Sequence, residues 1–279
     1  MPELPEVETV IGALKLRLEG RRIASAVAHR SDLRWALPTG LETRLSGARV
    51  IGFRRRGKYI LMRLNDGYSM LWHLGMSGRI VLSAARPNFP VLHEHLVLIT
   101  EDGWRLGFID PRRFGSVDLV PTKDEDQHRL LAALGPEPLE PEFTPEVLSA
   151  ALAGKRTAIK AALLDQKVVA GLGNIYACEA LFRARVSPLR SAHTIPGIRA
   201  ARLVAAIQDT LNEAIAAGGS SLRDYVQPDG ELGYFQHAWR AYGLEAQPCE
   251  RCPGNPPCGG IRRIVQSGRS TFYCSRTQR

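Results

Sequence analysis

The hydrophobic pattern of the chain changes from strand-like to helical between residues 121 and 145, so neither a single sheet nor a single helical bundle can hold all of it. From residue 21 to 120, the short β-rich runs RRIASAVAH, ARVIGFRR, KYILMRL, SMLWHLG, RIVLS, HLVLIT and WRLGFI are separated by Gly, Asp and Pro, the spacing of a sandwich or barrel. Further on, PEVLSAALAG, TAIKAALLD, GNIYACEALFRARV and a run from 196 to 217 repeat their apolar residues as helices do. The proline-rich stretch between the two regions reads as a linker with one short helix. A further helix leads the chain: Pro5 is expected at N1, Glu6 and Glu8 in the first turn, and Val7, Val10, Ile11, Leu14 and Leu18 recur at helical spacing until Gly20. The expected divisions are 1–130, a linker over 131–145, a helical part over 146–235 and a cysteine-bearing tail over 236–279.

Charge narrows the choice of partner. Lys and Arg number 37 against 28 Asp and Glu, a formal net charge of +9, which favours a polyanion, nucleic acid before an anionic membrane surface. No apolar stretch approaches the roughly 18 residues of a membrane span, and the start lacks the order of an export signal, so a cytoplasmic protein is expected. Against this basic background the first ten residues, MPELPEVETV, carry three glutamates and no basic residue.

Four of the five cysteines, Cys249, Cys252, Cys258 and Cys274, lie in the tail, a distribution that suits a metal site and not a disulfide framework. Cys178, alone in an apolar pattern, reads as a small buried residue. Cys249-Glu-Arg-Cys252 is a CxxC knuckle, and IRRIVQSGRSTFYC reads as a hairpin returning Cys274 to it. Thr277 stands where a second knuckle would place its last thiolate, and a neutral hydroxyl is a poor ligand. Cys258 is the candidate replacement; a metal-free hairpin is the alternative.

Other stretches carry weaker signals. Lys58 follows Arg54-Arg55-Arg56 and precedes a strand, where a basic run serves equally as a solvated face or a phosphate contact. HLGMSGR places His73 and Met76 at a strand end before a glycine turn. DPRRFG joins two arginines to an aromatic on a Pro/Gly-marked loop, a combination able to fill and wedge a duplex or simply to make a turn. GLGNIY precedes a helix whose first amides could meet a phosphate.

Taken together, MPELPEVET, GKYI, HLGMSG, DPRRFG, LGPEPL, RTAIK, VVAGLGNIYACEALF, GGSSLRDY, DGELGYF and GRSTFYC resemble, in order and nearly end to end, the bacterial formamidopyrimidine-DNA glycosylase family. The related endonuclease VIII branch typically begins PEGPE and lacks DPRRFG, so oxidised purines are the expected substrates and oxidised pyrimidines the alternative; a lesion binder without catalysis and a basic zinc-ribbon interaction protein are the readings outside enzymology. The resemblance implies an α+β fold: an N-terminal β-sandwich with a leading helix, a helix-two-turn-helix domain and a β-hairpin zinc finger. It implies removal of the initiator methionine, with Pro2 as nucleophile, Glu3 as acid/base and Glu6 as the second carboxylate. An α-amine with a pKa of roughly 7.7–8 is partly neutral near pH 7, unlike a lysine at about 10.4. Lys58 would contact the phosphate beside the lesion. His73, Met76, Arg112, Phe114, Asn174, Tyr242 and Arg269 would contact DNA, with Met76, Arg112 and Phe114 filling the void of a flipped nucleotide, and residues of about 218–235 would close over the extruded base. Damaged double-stranded DNA is the implied partner, one structural Zn2+ the only cofactor, with no nucleotide cofactor and no membrane. A monomer in the bacterial cytoplasm, on the nucleoid through DNA, is expected.

Overall fold

The computed structural model describes residues 2–84, 91–220, 227–228, 230–252 and 258–279. The Ser221–Tyr225 part of GGSSLRDY, Asp229, and Pro253–Pro257 ahead of Cys258 lie outside the described residues. The chain clusters into two compact units, Met1–Ala132 with Ala217–Tyr234, and Ala133–Ala216 with Phe235–Arg279.

In the first unit, helix α1 spans Leu4–Leu18 with Glu3 as its N-cap. Pro5 therefore sits at N2, one residue further in than its N1 assignment, where its missing N–H still costs no helical hydrogen bond. Strands β1 (Ile23–Ala28), β2 (Val50–Arg56), β3 (Tyr59–Leu64), β4 (Tyr68–His73), β5 (Arg79–Ser83), β6 (Glu94–Thr100) and β7 (Arg105–Ile109) occupy the seven expected runs. Helix α2 (Leu41–Leu45) and strand β8 (Ser116–Pro121) are additional. The strands form two antiparallel four-stranded sheets, β1-β6-β7-β5 and β2-β3-β4-β8. Trp72 of β4 meets Phe108 of β7 edge to face, centroids 5.0 Å apart. Val10, Ile11, Leu14 and Leu18 of α1 close the same core. Burying side chains of this size is worth about 1.5–3 kcal/mol each before entropy is charged.

In the second unit, α3 (Pro145–Leu152), α4 (Ile159–Leu164), α5 (Asn174–Arg183) and α6 (Ile198–Ala216) match the four expected helical stretches. Thr144 caps α3 by accepting Val147 N–H at 3.3 Å, with Pro145 at N1. The tail supplies β9 (Arg262–Gln266) and β10 (Arg269–Tyr273), an antiparallel hairpin. Its two turn residues, Ser267 (φ 48°) and Gly268 (φ 73°), are both left-handed, as a tight hairpin turn of primed type requires. No helix among the described residues is long and apolar enough to cross a membrane.

The 3₁₀ turn Thr122–Gln127 does more than link. It carries Glu125, buried, which accepts from Arg63 Nε and Nη2 (2.9 and 2.7 Å), Arg54 Nη1 (2.9 Å) and Ser69 Oγ (2.6 Å). Burial alone would raise its carboxyl, but the hydrogen bonds from Arg63, Ser69 and Arg54 outweigh it and hold the pKa at about 2. A carboxylate depressed below its usual 4.5 stabilises the fold fully above that pH and loses the contribution as pH falls toward 2. Glu125→Gln should cost about 2–3 kcal/mol of stability at pH 7 and flatten the acid limb of a stability-versus-pH curve measured by urea unfolding.

Candidate active site and metal centre

Pro2, Glu3 and Glu6 are all buried at the start of α1. Glu3 and Glu6 form a capping box, which satisfies amides that the first helical turn leaves without partners. Glu6 Oε2 accepts Glu3 N–H at 2.7 Å, and its Oε1 accepts Ser220 N–H at 2.8 Å. Gly219 makes this approach possible: its φ is +81°, and a Cβ there would lie 3.0 Å from Glu6 Cγ. One carboxylate thus joins the helix start to a segment more than two hundred residues away in sequence.

The basic run before Lys58 resolves into internal pairs. Arg54 binds Glu125 and Asp126, and Arg55 Nε donates to Glu8 Oε2 at 2.7 Å, which docks the β2–β3 hairpin on α1. Lys58 follows the left-handed Gly57 and is 7 % exposed. Its charge reaches His73: burial, then Lys58, then Arg34 lower the His73 pKa to about 4. Gly75 N–H donates to His73 Nδ1 at 3.0 Å. The neutral ring consequently carries its proton on Nε2, the nitrogen that remains to donate.

His73, Met76, Arg112 and Phe114 line one pocket of about 630 Å³. Met76 and Phe114 stay 39 % and 44 % exposed, so this pocket presents two large apolar side chains to solvent. The Arg112 guanidinium lies over the Phe114 ring, 4.8 Å from its centroid. Two loops are pressed together to make this arrangement. A Cβ on Gly75 (φ +68°) would fall 2.4 Å from Gly115 N and Phe114 C. Asp110, fully buried, accepts from Ser77 Oγ at 2.6 Å and Gly115 N–H at 2.7 Å, and Ser77 Oγ in turn accepts Arg112 N–H at 3.2 Å. Asp110 and Ser77 lie inside HLGMSG and DPRRFG, yet sequence reasoning singled out neither, because nothing local says that they bond each other.

In the second unit, Asn174 opens α5 and its Nδ2 donates to Ser270 O at 3.0 Å. Lys160, fully buried, donates to the same carbonyl at 3.1 Å and to Thr271 Oγ1 at 2.7 Å. Arg269, exposed, begins the strand that these contacts pin. The Tyr242 ring is half-buried between Trp239 and Phe272, 5.0 Å from each, so packing holds it. Its backbone N–H donates to Glu179 Oε1 at 2.7 Å, as Ala241 N–H does at 3.0 Å. Burial pushes the Glu179 carboxyl up against the opposing pull of those amides. Lys160 and Glu179 escaped the sequence reading because a charged residue in a helix ordinarily faces water.

Beside this hairpin the thiol sulfurs of Cys249, Cys252, Cys258 and Cys274 all lie within 4.8 Å of one another. Tetrahedral thiolate coordination with bonds of about 2.3 Å requires comparable sulfur spacings, so the four residues suit a soft divalent ion. Cys258 takes part in the cluster although it belongs to no second knuckle.

Comparison with known proteins agrees with the geometry. The sequence family described as Formamidopyrimidine-DNA glycosylase N-terminal domain matches residues 1–117, and the Formamidopyrimidine-DNA glycosylase H2TH domain matches residues 134–226. A formamidopyrimidine-DNA glycosylase of Acidiphilium cryptum is 63% identical over 279 residues, covering 100% of both chains. Among solved structures, the MutM (Fpg) protein of Thermus thermophilus superposes with a TM-score of 0.87 at 40% identity, covering 99% of this chain and 98% of the other. Lactococcus lactis Fpg (MutM), solved with DNA containing N7-benzyl-Fapy-dG, superposes with a TM-score of 0.89 at 32% identity, covering 100% of each chain.

The His73 assignment is directly measurable. Long-range 1H–15N NMR spectra should show a neutral ring protonated at Nε2 down to about pH 4, and in Gly75→Ala, which forces the two loops apart, the same resonance should move toward ordinary histidine behaviour.

Proposed function

The chain belongs to the formamidopyrimidine-DNA glycosylase family, and from that premise we propose how its own residues carry out excision of oxidised purines from duplex DNA and nicking of the abasic strand. With methionine removed, the Pro2 amine attacks C1′ of the damaged nucleotide and the glycosidic bond to the base breaks. A secondary amine yields an iminium that has no N–H proton to lose. That persistent cation acidifies C2′, so the 3′ phosphate leaves by β-elimination and the 5′ phosphate by δ-elimination, after which hydrolysis frees Pro2. Glu3 shuttles protons around the opening sugar, and the Lys58 ammonium stabilises negative charge building at the neighbouring phosphate. The observation that carries this reading is the burial of Pro2 beside a capping box in which Glu3 supplies the acid/base carboxylate and Glu6 holds the helix start.

Glu6 is less a second acid than a brace, since both its oxygens accept backbone N–H groups. Met76, Arg112 and Phe114 fill and wedge the space of the flipped nucleotide. These insertions offset part of the few kcal/mol that unstacking costs. His73 donates from Nε2 to the DNA backbone, as do Asn174, Arg269 and Tyr242 from the second unit. One structural zinc held by Cys249, Cys252, Cys258 and Cys274 would fix the hairpin that carries Arg269, supported by the mutual proximity of the four thiols. The enzyme works as a monomer in the bacterial cytoplasm, on nucleoid DNA.

Borohydride reduction during turnover on 8-oxoguanine duplexes should give a covalent protein–DNA adduct that maps to Pro2; turnover by protein whose terminal nitrogen is acylated would refute the assignment. Glu3→Gln should lower single-turnover excision by about 10²–10⁴-fold with DNA binding retained. Cys258→Ala should bring metal content measured by emission spectroscopy below one zinc per chain, whereas full zinc retention would remove Cys258 from the ligand set.

A further inference from the structure

Among the groups lining the 630 Å³ pocket, Arg34 is exposed and is given no DNA contact in the scheme above. Arg34 sits in the turn over residues 31–37, closed by the Asp32–Ala36 bridge and by Leu37 N–H donating to Ser31 O at 2.8 Å. Its own backbone N–H donates to Gly115 O at 3.1 Å, so the turn is bonded to the same loop that carries Arg112 and Phe114. The Arg34 guanidinium lies over the Trp35 ring, 4.7 Å from the centroid, and Arg129 lies 5.0 Å from the same ring.

Most arginines of this unit are spent on carboxylates: Arg30 on Asp32, Arg44 on Asp66, Arg54 and Arg63 on Glu125, Arg55 on Glu8, Arg105 on Glu94. Arg34, Arg112 and Arg113 form no ion pair among the described residues, and all three line the pocket. The pocket's carboxylate, Asp32, is engaged by Arg30 at 2.9 Å. Three guanidinium charges without a carboxylate partner among the described residues thus face one pocket, which is what a polyanionic ligand requires. A guanidinium stacked over an indole keeps its in-plane N–H fork for an acceptor and loses little freedom when one arrives. The fork matches a phosphate's oxygens.

We propose that Arg34 is a DNA-backbone ligand, binding a phosphodiester beside the wedge formed by Met76, Arg112 and Phe114, with Trp35 as the platform that pre-orients it. The inference rests on the DNA-handling role proposed for this pocket. It adds a phosphate contact from a turn that contains none of the reacting groups, so its effect falls on affinity and not on chemistry.

The test is equilibrium binding of the full chain to a duplex carrying a non-cleavable abasic analogue, titrated over a range of salt concentrations. Arg34→Gln should weaken binding by about tenfold at low salt and reduce the slope of log K against log salt by about 0.9, equally for lesion and undamaged duplexes. Arg34→Lys should restore the slope, and Trp35→Leu should weaken binding by about two- to fivefold. The melting temperature and the borohydride adduct yield at saturating DNA should match wild type. An unchanged slope in a folded Arg34→Gln protein overturns the proposal, as does an altered opposite-base preference without a change in slope, which would make Arg34 a base reader. Failure of the wild-type protein to form any borohydride adduct would instead strike the catalytic reading and leave the salt comparison intact.

Discussion

The Glu6 carboxyl group is the constraint on which the arrangement at the start of α1 depends. Its two oxygens accept main-chain N–H groups from Glu3 and from Ser220, so the first helical turn and a strap arriving from far along the chain share one rigid anion. Glu6 is itself 2 % exposed, and a carboxylate so far removed from water persists only where donors meet it. The sequence meets that demand with a glycine at 219, where the strap must come within contact distance of Glu6. Pro2, the proposed nucleophile, is therefore placed by main-chain hydrogen bonding at the adjoining residue, and no second side chain has to be tuned for the purpose.

The wedge follows the same logic with a different anion. Asp110 takes Ser77 Oγ and Gly115 N–H, while His95 contributes a ring nitrogen 2.8 Å from the Asp110 carbonyl. Around this buried node two loops touch backbone to backbone at Gly75, leaving Met76 and Phe114 nowhere to go but outward. Preorganisation of this kind would lower the entropy lost in the duplex insertion proposed for these side chains.

Much of this was legible in the sequence, and what was not has identifiable causes. The seven strand runs from Ile23 to Ile109 announced themselves because each has turn residues on both sides. Strand β8 did not, since SVDLVP is short, interrupted by Asp118 and closed by a proline that reads as a stop. The run Arg54-Arg55-Arg56 looked like a candidate phosphate contact, but the partners of Arg54 and Arg55, Glu125 and Glu8, are distant in sequence and no local rule could supply them. The motifs named Lys58, Met76, Arg112 and Phe114, but the residues that support them, Ser77, Asp110 and Arg34, become visible only when two or three loops meet. Cys258 was legible as a spare thiol, and its place among the other three sulfurs follows from the fold.

The Ser270 carbonyl accepts both Lys160 and Asn174, which uses its two lone pairs on helical partners. The grip at that point runs through a main-chain oxygen, so it does not depend on which side chain stands at position 270. Position 270 can therefore change its side chain while the strand that begins at Arg269 keeps its hold on α4 and α5. At that one point of the hairpin evolutionary drift is cheap.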